Sequence, residues 1–355
     1  MPRIGYLRLA VCLGLMLVGA AGDPPSDPLG RGVNITHWFR YPPSRDPTAL
    51  RSYMSDPELD ALRRAGFTFV RLPVQPDLLD APDALAHAVA RVQRHGLAVV
   101  VALFADGWHL ETDGGDYRRL LAAWHTLALR LRRFDPATTF VEILNEPVFA
   151  GDPAGWARLQ HEALTAIRSV LPANTIVLTG GEWGGIAGLL ALAPEDDPNV
   201  IYSIHLYEPA ELTALGAYRP GLDAAAMARL PFPVTDPTSC LATSSATRDL
   251  PTADLMRFYC LQRWDVPKVA ERIGQAGAWG RLHRVRVLAG EFGASQRLNA
   301  TARLAWITAV RQGLEQQGIG WALWGYDDQM GFARQPPADF RAPDPDLLRA
   351  LGLNR

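Results

Sequence analysis

The chain has 355 residues, 48% of them hydrophobic, and a formal net charge of -2. That is length and apolar material for one large barrel or two ordinary domains. With no basic stripe carrying interleaved aromatics, it offers no field for nucleic acid or for an anionic membrane surface.

Arg3 and Arg8 precede an almost wholly apolar run from Leu9 to Ala21, and Gly19-Ala20-Ala21-Gly22 stands before a polar, proline-rich stretch. This is the pattern of a secretory signal peptide over residues 1–22. A membrane anchor needs about 20 apolar residues, more than this run supplies. The expected product, residues 23–355, is secreted or periplasmic and retains Cys240 and Cys260, while Cys12 goes with the signal. An even pair in an exported protein can form a disulfide, and sequence alone leaves two free thiols open.

Strands and helices then alternate. Gly32 to Ile35 reads as a first strand, and Pro57 to Arg64 as a helix closed by Gly66. Phe67 to Leu72 is a second strand that Pro73 should stop. Asp83 suits a helix cap, with Leu85, Val89 and Val92 at helical spacing and Gly96 past the end. Leu97 to Phe104 is apolar on both faces, as a parallel-sheet strand is. Leu120, Trp124, Leu127 and Leu131 mark a helix before the run Phe140 to Pro147, and Trp156, Leu159, Ala163, Ile167 and Val170 mark one after it. Thr175 to Thr179 and Val200 to His205 are strands five and six. From about 208 to 251 no period is sustained, which predicts a long loop. The seventh strand ends at Glu291, a helix spans about Thr301 to Gln317, and Gly320 to Trp324 is the eighth strand. Eight such rounds without a composition break predict a single (β/α)8 TIM barrel. A doubly wound sheet would need a glycine-rich loop opening a helix after the first strand, and Gly30-Arg31-Gly32-Val33-Asn34 runs into a strand instead.

Active-site groups of such barrels collect at the carboxyl ends of the strands. Two glutamates stand there: Glu146 in Phe-Val-Glu-Ile-Leu-Asn-Glu-Pro and Glu291 in Val-Leu-Ala-Gly-Glu-Phe-Gly. Paired carboxyls are the minimum equipment for cleaving a glycosidic bond.

Asn145-Glu146-Pro147, Glu291, His205-Leu206-Tyr207, Arg71 and Trp324, each at a strand end and in barrel order, resemble glycoside hydrolase family 5, the cellulase family of clan A. So does Gly32-Val33-Asn34-Ile35-Thr36-His37-Trp38-Phe39. The resemblance covers essentially the whole mature chain. It implies Glu146 as acid/base and Glu291 as nucleophile, and Asn145 on the sugar 2-hydroxyl. It implies Arg71 and Tyr207 as groups that hold Glu291 ionised, His205 lining the same subsite, and Trp324 as a stacking face for a pyranose ring. The third strand departs from the family: relatives commonly end it with histidines, whereas Phe104-Ala105-Asp106 stands here and His109 follows as a shifted candidate. His37, Trp38, Trp183 and Glu182 are candidates for the cleft wall.

No metal-ligand spacing or nucleophilic-serine motif is present in the sequence, and water is the sole co-substrate implied, with no cofactor. The expected function is an exported, retaining β-glycosidase acting on β-1,4-linked glucan, as a monomer, with a β-glucan or related polysaccharide as its partner. A β-mannanase, an exo-β-glucosidase and a non-catalytic glycan-binding barrel are the alternatives.

Overall fold

The computed structural model describes residues 27–80, 82–149, 151–334 and 343–353. The signal-peptide reading of residues 1–22 lies outside them.

Eight parallel strands form a closed barrel in sequence order. They are β1 (Arg31–Asn34), β2 (Phe69–Val74), β3 (Ala98–Leu103), β4 (Thr139–Glu142), β5 (Ile176–Thr179), β6 (Val200–Leu206), β7 (Arg286–Phe292) and β8 (Gly320–Leu323). The last pairs with the first, Gly32 lying beside Ala322. Helices cross between successive strands, as parallel pairing requires. The helix Asp56–Ala65 shows how sharply local sequence sets these boundaries: Ser55 and Glu58 form a capping box at its start, and Gly66 ends it in the left-handed region.

Strand alternation divides the barrel interior into two layers. The lower one is apolar, with Phe69, Val100, Phe140, Val177, Ile201, Leu288 and Ala322 packed together. Gly32 belongs to this layer because a Cβ there would fall 2.3 Å from the Phe69 ring. Two residues further along five of the strands the interior turns polar, with Asn34, Arg71, Glu142, Thr179 and Ser203 buried, and His205 is buried two residues beyond Ser203. This upper layer is the floor of the cleft.

Two expectations need correcting. β2 continues through Pro73, which pairs with Ala102. Ile35 N–H donates to the Arg71 carbonyl and Gln75 N–H to that of Phe39, so the backbone groups of 71, 73 and 75 face β1. Since β1 ends at Asn34, no acceptor there is left unmatched by the missing N–H of Pro73. The stretch after β6 is likewise not an irregular loop but carries the helices Ala210–Thr213, Ala224–Met227, Pro237–Ser245 and Leu250–Gln262. Asp223, Asp236 and Asp249 cap the last three. Cys240 and Cys260 are joined in a disulfide that ties Pro237–Ser245 to Leu250–Gln262, their Cα atoms 5.6 Å apart.

Candidate active site

Arg71, fully buried at the centre of the upper layer, organises the site. Its Nε and Nη2 donate to both oxygens of Glu142, each at 2.7 Å. Nη1 donates to Glu291 Oε1 at 2.6 Å and to Asn34 Oδ1 at 2.9 Å, and Nη2 to Asn145 Oδ1 at 3.0 Å. One guanidinium thus fixes two carboxylates and two amides, the planar fork suiting such bidentate pairing. Glu142 and Asn34 are functional neighbours that sequence reading passed over. The signal for Glu142 was a carboxylate inside an otherwise apolar strand, a place that a charge occupies only when paired.

Glu291 reaches the site through a bulge. Leu288 and Gly290 point into the barrel, so strict alternation would turn Glu291 outward. The β6–β7 register slips at this point, Ile204 pairing with Ala289 but His205 with Glu291. Such a slip re-aims a side chain. Asn34 Nδ2 donates to the Gly290 carbonyl at 3.1 Å and pins the bulge. Gly290 has no side chain to spare, for a Cβ would lie 2.4 Å from Ser203 Oγ. Tyr207 completes the support, its hydroxyl donating to Glu291 Oε2 at 2.8 Å.

Glu146 sits just beyond β4 with φ +42, a left-handed conformation unusual outside glycine. Asn145 N–H, bonded to the Leu103 carbonyl at 2.8 Å, holds this turn against the barrel rim. His205 Nδ1 lies 2.9 Å from Glu146 Oε1 and 3.5 Å from Glu291 Oε2. Donor atoms of Glu146, His205 and Glu291 all fall within 4.8 Å of one another. That spacing also suits a cation, but the Arg71 guanidinium already on Glu291 opposes a second positive charge.

These contacts set the proton affinities. Burial pushes the Glu291 carboxyl up, and the Glu146 charge adds to it; His205, Arg71 and Tyr207 pull the other way without reversing it. Burial would also raise Glu146, yet the hydrogen bond and charge of His205, with Arg71 and Arg40 beyond, hold it below the usual range. Burial would lower His205, but the Glu291 and Glu146 carboxylates lift it above its ordinary value. Burial and the Glu291 charge drive the Tyr207 hydroxyl far up, so it stays a donor.

Trp324 is buried at the cleft floor and stacks on Phe104, ring centroids 6.0 Å apart. A cavity of about 350 Å³ opens on the Glu146 side, lined by Asn145, Glu146, Trp108, His109 and Trp183 among others. His109 is therefore on the cleft wall, as is Trp183, a residue 59% exposed. The Trp183 backbone N–H donates to the Pro147 carbonyl, tying the loop after β5 to the Glu146 turn. His37 lines a second cavity of about 1070 Å³, bounded also by Tyr41, Asp328 and Met330. Trp38 does not belong to the site. It is fully buried, donates to the Leu50 carbonyl at 2.7 Å and packs on Phe39 and Tyr53. The one-turn helix Thr36–Phe39 gives its neighbour His37 to the cleft and Trp38 to the core.

A closed barrel with two glutamates facing each other across its carboxyl-end mouth, one clamped by an arginine and a tyrosine, defines a barrel glycosidase. The family model for cellulase (glycosyl hydrolase family 5) matches residues 50–329. The chain belongs to that family. It is 27% identical to Endoglucanase 3 of Fibrobacter succinogenes over 84% of this chain and 49% of that one. It is 21% identical to Endoglucanase H of Acetivibrio thermocellus over 91% of this chain and 33% of that one. The chain thus spans about half and a third of these two relatives. Thermotoga maritima Cel5A, solved with mannotriose, superposes with a TM-score of 0.73 at 25% identity, covering 92% of this chain and 98% of that one. The same enzyme in mutant form, solved with cellobiose, gives 0.72 at 25% identity over 91% and 96%.

Proposed function

We propose that this chain is an endo-acting, retaining β-glycosidase that hydrolyses β-1,4-linked glucan by double displacement. Glu291 attacks the anomeric carbon while Glu146 protonates the departing oxygen; Glu146 then takes a proton from the water that releases the glycosyl-enzyme ester. The observation that carries this reading is the Glu146–Glu291 spacing: an oxygen of each within 4.8 Å of the other fits the roughly 5–5.5 Å carboxyl separation of retaining enzymes better than the roughly 6.5–9.5 Å of inverting ones.

The proton affinities fit these roles through His205. Glu146 is the more acidic of the two glutamates, the reverse of what an acid needs. His205 Nδ1, 2.9 Å away and lifted in proton affinity by the two carboxylates, is placed to supply the proton it requires. Transfer along that bond leaves a neutral imidazole and a protonated Glu146, whose side chain is 32% exposed and faces the cleft. Arg71 and Tyr207 remain on Glu291 and favour its ionised, nucleophilic form.

Two cavities along the cleft support endo action, the smaller holding Glu146 and walled by Trp183 and the larger walled by Met330, which packs against the cluster of Ala102, Phe104 and Trp324. The endoglucanase relatives support glucan as substrate. Mannan is the second reading, favoured by the mannotriose complex of Thermotoga maritima Cel5A. Export rests on the sequence of residues 1–22, and mass spectrometry of the protein from its host's medium or periplasm would detect the cleaved form.

The test is reducing-sugar release from soluble cellulose, mixed-linkage glucan, mannan and laminarin, beside Glu291→Gln. Release from a β-1,4-glucan that the substitution abolishes supports the reading. Preferred release from mannan transfers it to the second reading, and silence on all four overturns both.

A further inference from the structure

Where the family's relatives commonly carry histidine, Phe104 follows the third strand here, and a cation from the segment after β1 covers that ring. Arg40 follows the Thr36–Phe39 turn after β1, and its Cζ lies 4.2 Å from the Phe104 centroid and 5.7 Å from that of Trp324. Arg71 approaches Phe104 as well, at 5.4 Å. Phe104 is thus an apolar spacer between the buried arginine that serves Glu291 and a second one at the cleft surface.

Asp106 holds that second arginine. Its Oδ2 accepts from Arg40 Nε at 3.1 Å, from the Tyr41 hydroxyl at 2.8 Å and from Gln75 Nε2 at 2.7 Å. Asp106 Oδ1 receives only Arg40 Nη2, at a long 3.4 Å, and among the described residues Arg40 Nη1 has no acceptor. A donor edge and an acceptor oxygen are therefore left side by side. Both residues line the cavity that contains Glu146 and Asn145. The Arg40 side chain is 18% exposed and that of Asp106 39%, open enough for contact yet fixed by four hydrogen bonds.

We propose that Arg40 and Asp106 form a specificity-determining sugar contact, Arg40 Nη1 donating to one hydroxyl and Asp106 Oδ1 accepting from the neighbouring hydroxyl of a pyranose unit held in that cavity. Adjacent hydroxyls of a neutral pyranose match a donor beside an acceptor. A uronic acid does not, because its carboxylate would meet Asp106, and the ion pair leaves no net positive charge to offset that repulsion. The pair also discriminates hydroxyl orientation, since a site built to bond a hydroxyl rejects an analogue that leaves its groups unmatched. This rests on the glycosidase reading of the cleft.

Calorimetric binding to the Glu291→Gln protein separates the two, because it needs no turnover. The probes are cellotetraose, mannotetraose and a tetragalacturonate. The parent should bind a neutral tetrasaccharide and not the uronate. Arg40→Met in that background should weaken binding tenfold or more and reduce the cellotetraose-to-mannotetraose preference, with an unchanged melting midpoint. Arg40→Lys, which keeps the charge and loses the fork, should not restore it. Should Arg40→Met fail to fold, Arg40→Gln, planar and still a donor, reads the same loss. Affinity within twofold of the parent in the folded variant, or equal binding of the uronate, overturns the proposal while leaving the glycosidase reading intact. A parent that binds no neutral tetrasaccharide sinks both.

Discussion

Arg71 and Glu142 form a bidentate ion pair with neither side chain accessible to solvent, and this pair aims the remaining Nη1 of Arg71 at Glu291. Removing one partner of a buried pair leaves an uncompensated charge, at a cost of about 3–5 kcal/mol. Glu142→Ala should lose that much stability in urea denaturation and lower kcat with little change in KM, since Glu142 touches no substrate. A loss of stability below about 1 kcal/mol would show that water compensates Arg71.

Tyr207 bears on the acid limb of the pH profile. Its hydroxyl favours the ionised form of Glu291, whose affinity for protons is already above the ordinary 4.5. In Tyr207→Phe the carboxyl should climb further, so the acid limb of kcat/KM should move to higher pH. A hydrogen bond to a charged group contributes about 1.5–3 kcal/mol, which sets a rate loss of roughly 10–100-fold. A limb that stays in place would separate Tyr207 from the nucleophile.

His205 governs the other limb. Its folded-state affinity lies above the ordinary 6.5 because two carboxylates face it. The proton that Glu146 needs is present below that raised value and lost as pH rises through it. Activity should therefore fall on the alkaline side above 6.5, and His205→Asn should shift that limb and lower kcat. An alkaline limb that is unchanged in the variant would assign the proton elsewhere.

The Cys240–Cys260 disulfide closes a sequence separation of 20 residues within the insertion after β6. A loop of this size gives about 3 kcal/mol in the chain-entropy account. Cys240→Ala with Cys260→Ala should lower the melting midpoint under oxidising conditions, and reductant should do the same to the parent. The barrel and the Glu146–Glu291 geometry do not depend on this bond, so kcat at moderate temperature should persist.

The barrel was readable because strands buried on both faces leave continuous apolar runs, and Glu146 and Glu291 stand out as the charges that end two of them. Other features depend on partners distant in sequence. Glu142 is a strand residue until Arg71 is seen opposite it. Whether Pro73 breaks β2 depends on where β1 stops. Which of His37 and Trp38 enters the cleft depends on the packing of a one-turn helix against Tyr53. The helix Leu250–Gln262 hid its period because exposed Leu250, Phe258 and Leu261 accompany the buried Leu255, Met256 and Tyr259. Glu291 itself faces inward only through the slip at Gly290, which the strand's own alternation does not foretell.

The most direct measurement is proton NMR of the anomeric signals during the first minutes of cellotetraose hydrolysis, before mutarotation. With Glu146 and Glu291 at this spacing, the β-anomer signal should grow first above the mixture that cellotetraose itself carries, and the α-anomer signal should grow only slowly. An α-anomer signal that grows first above the substrate's own would mean inversion, and would contradict the assignment of Glu291 as a nucleophile.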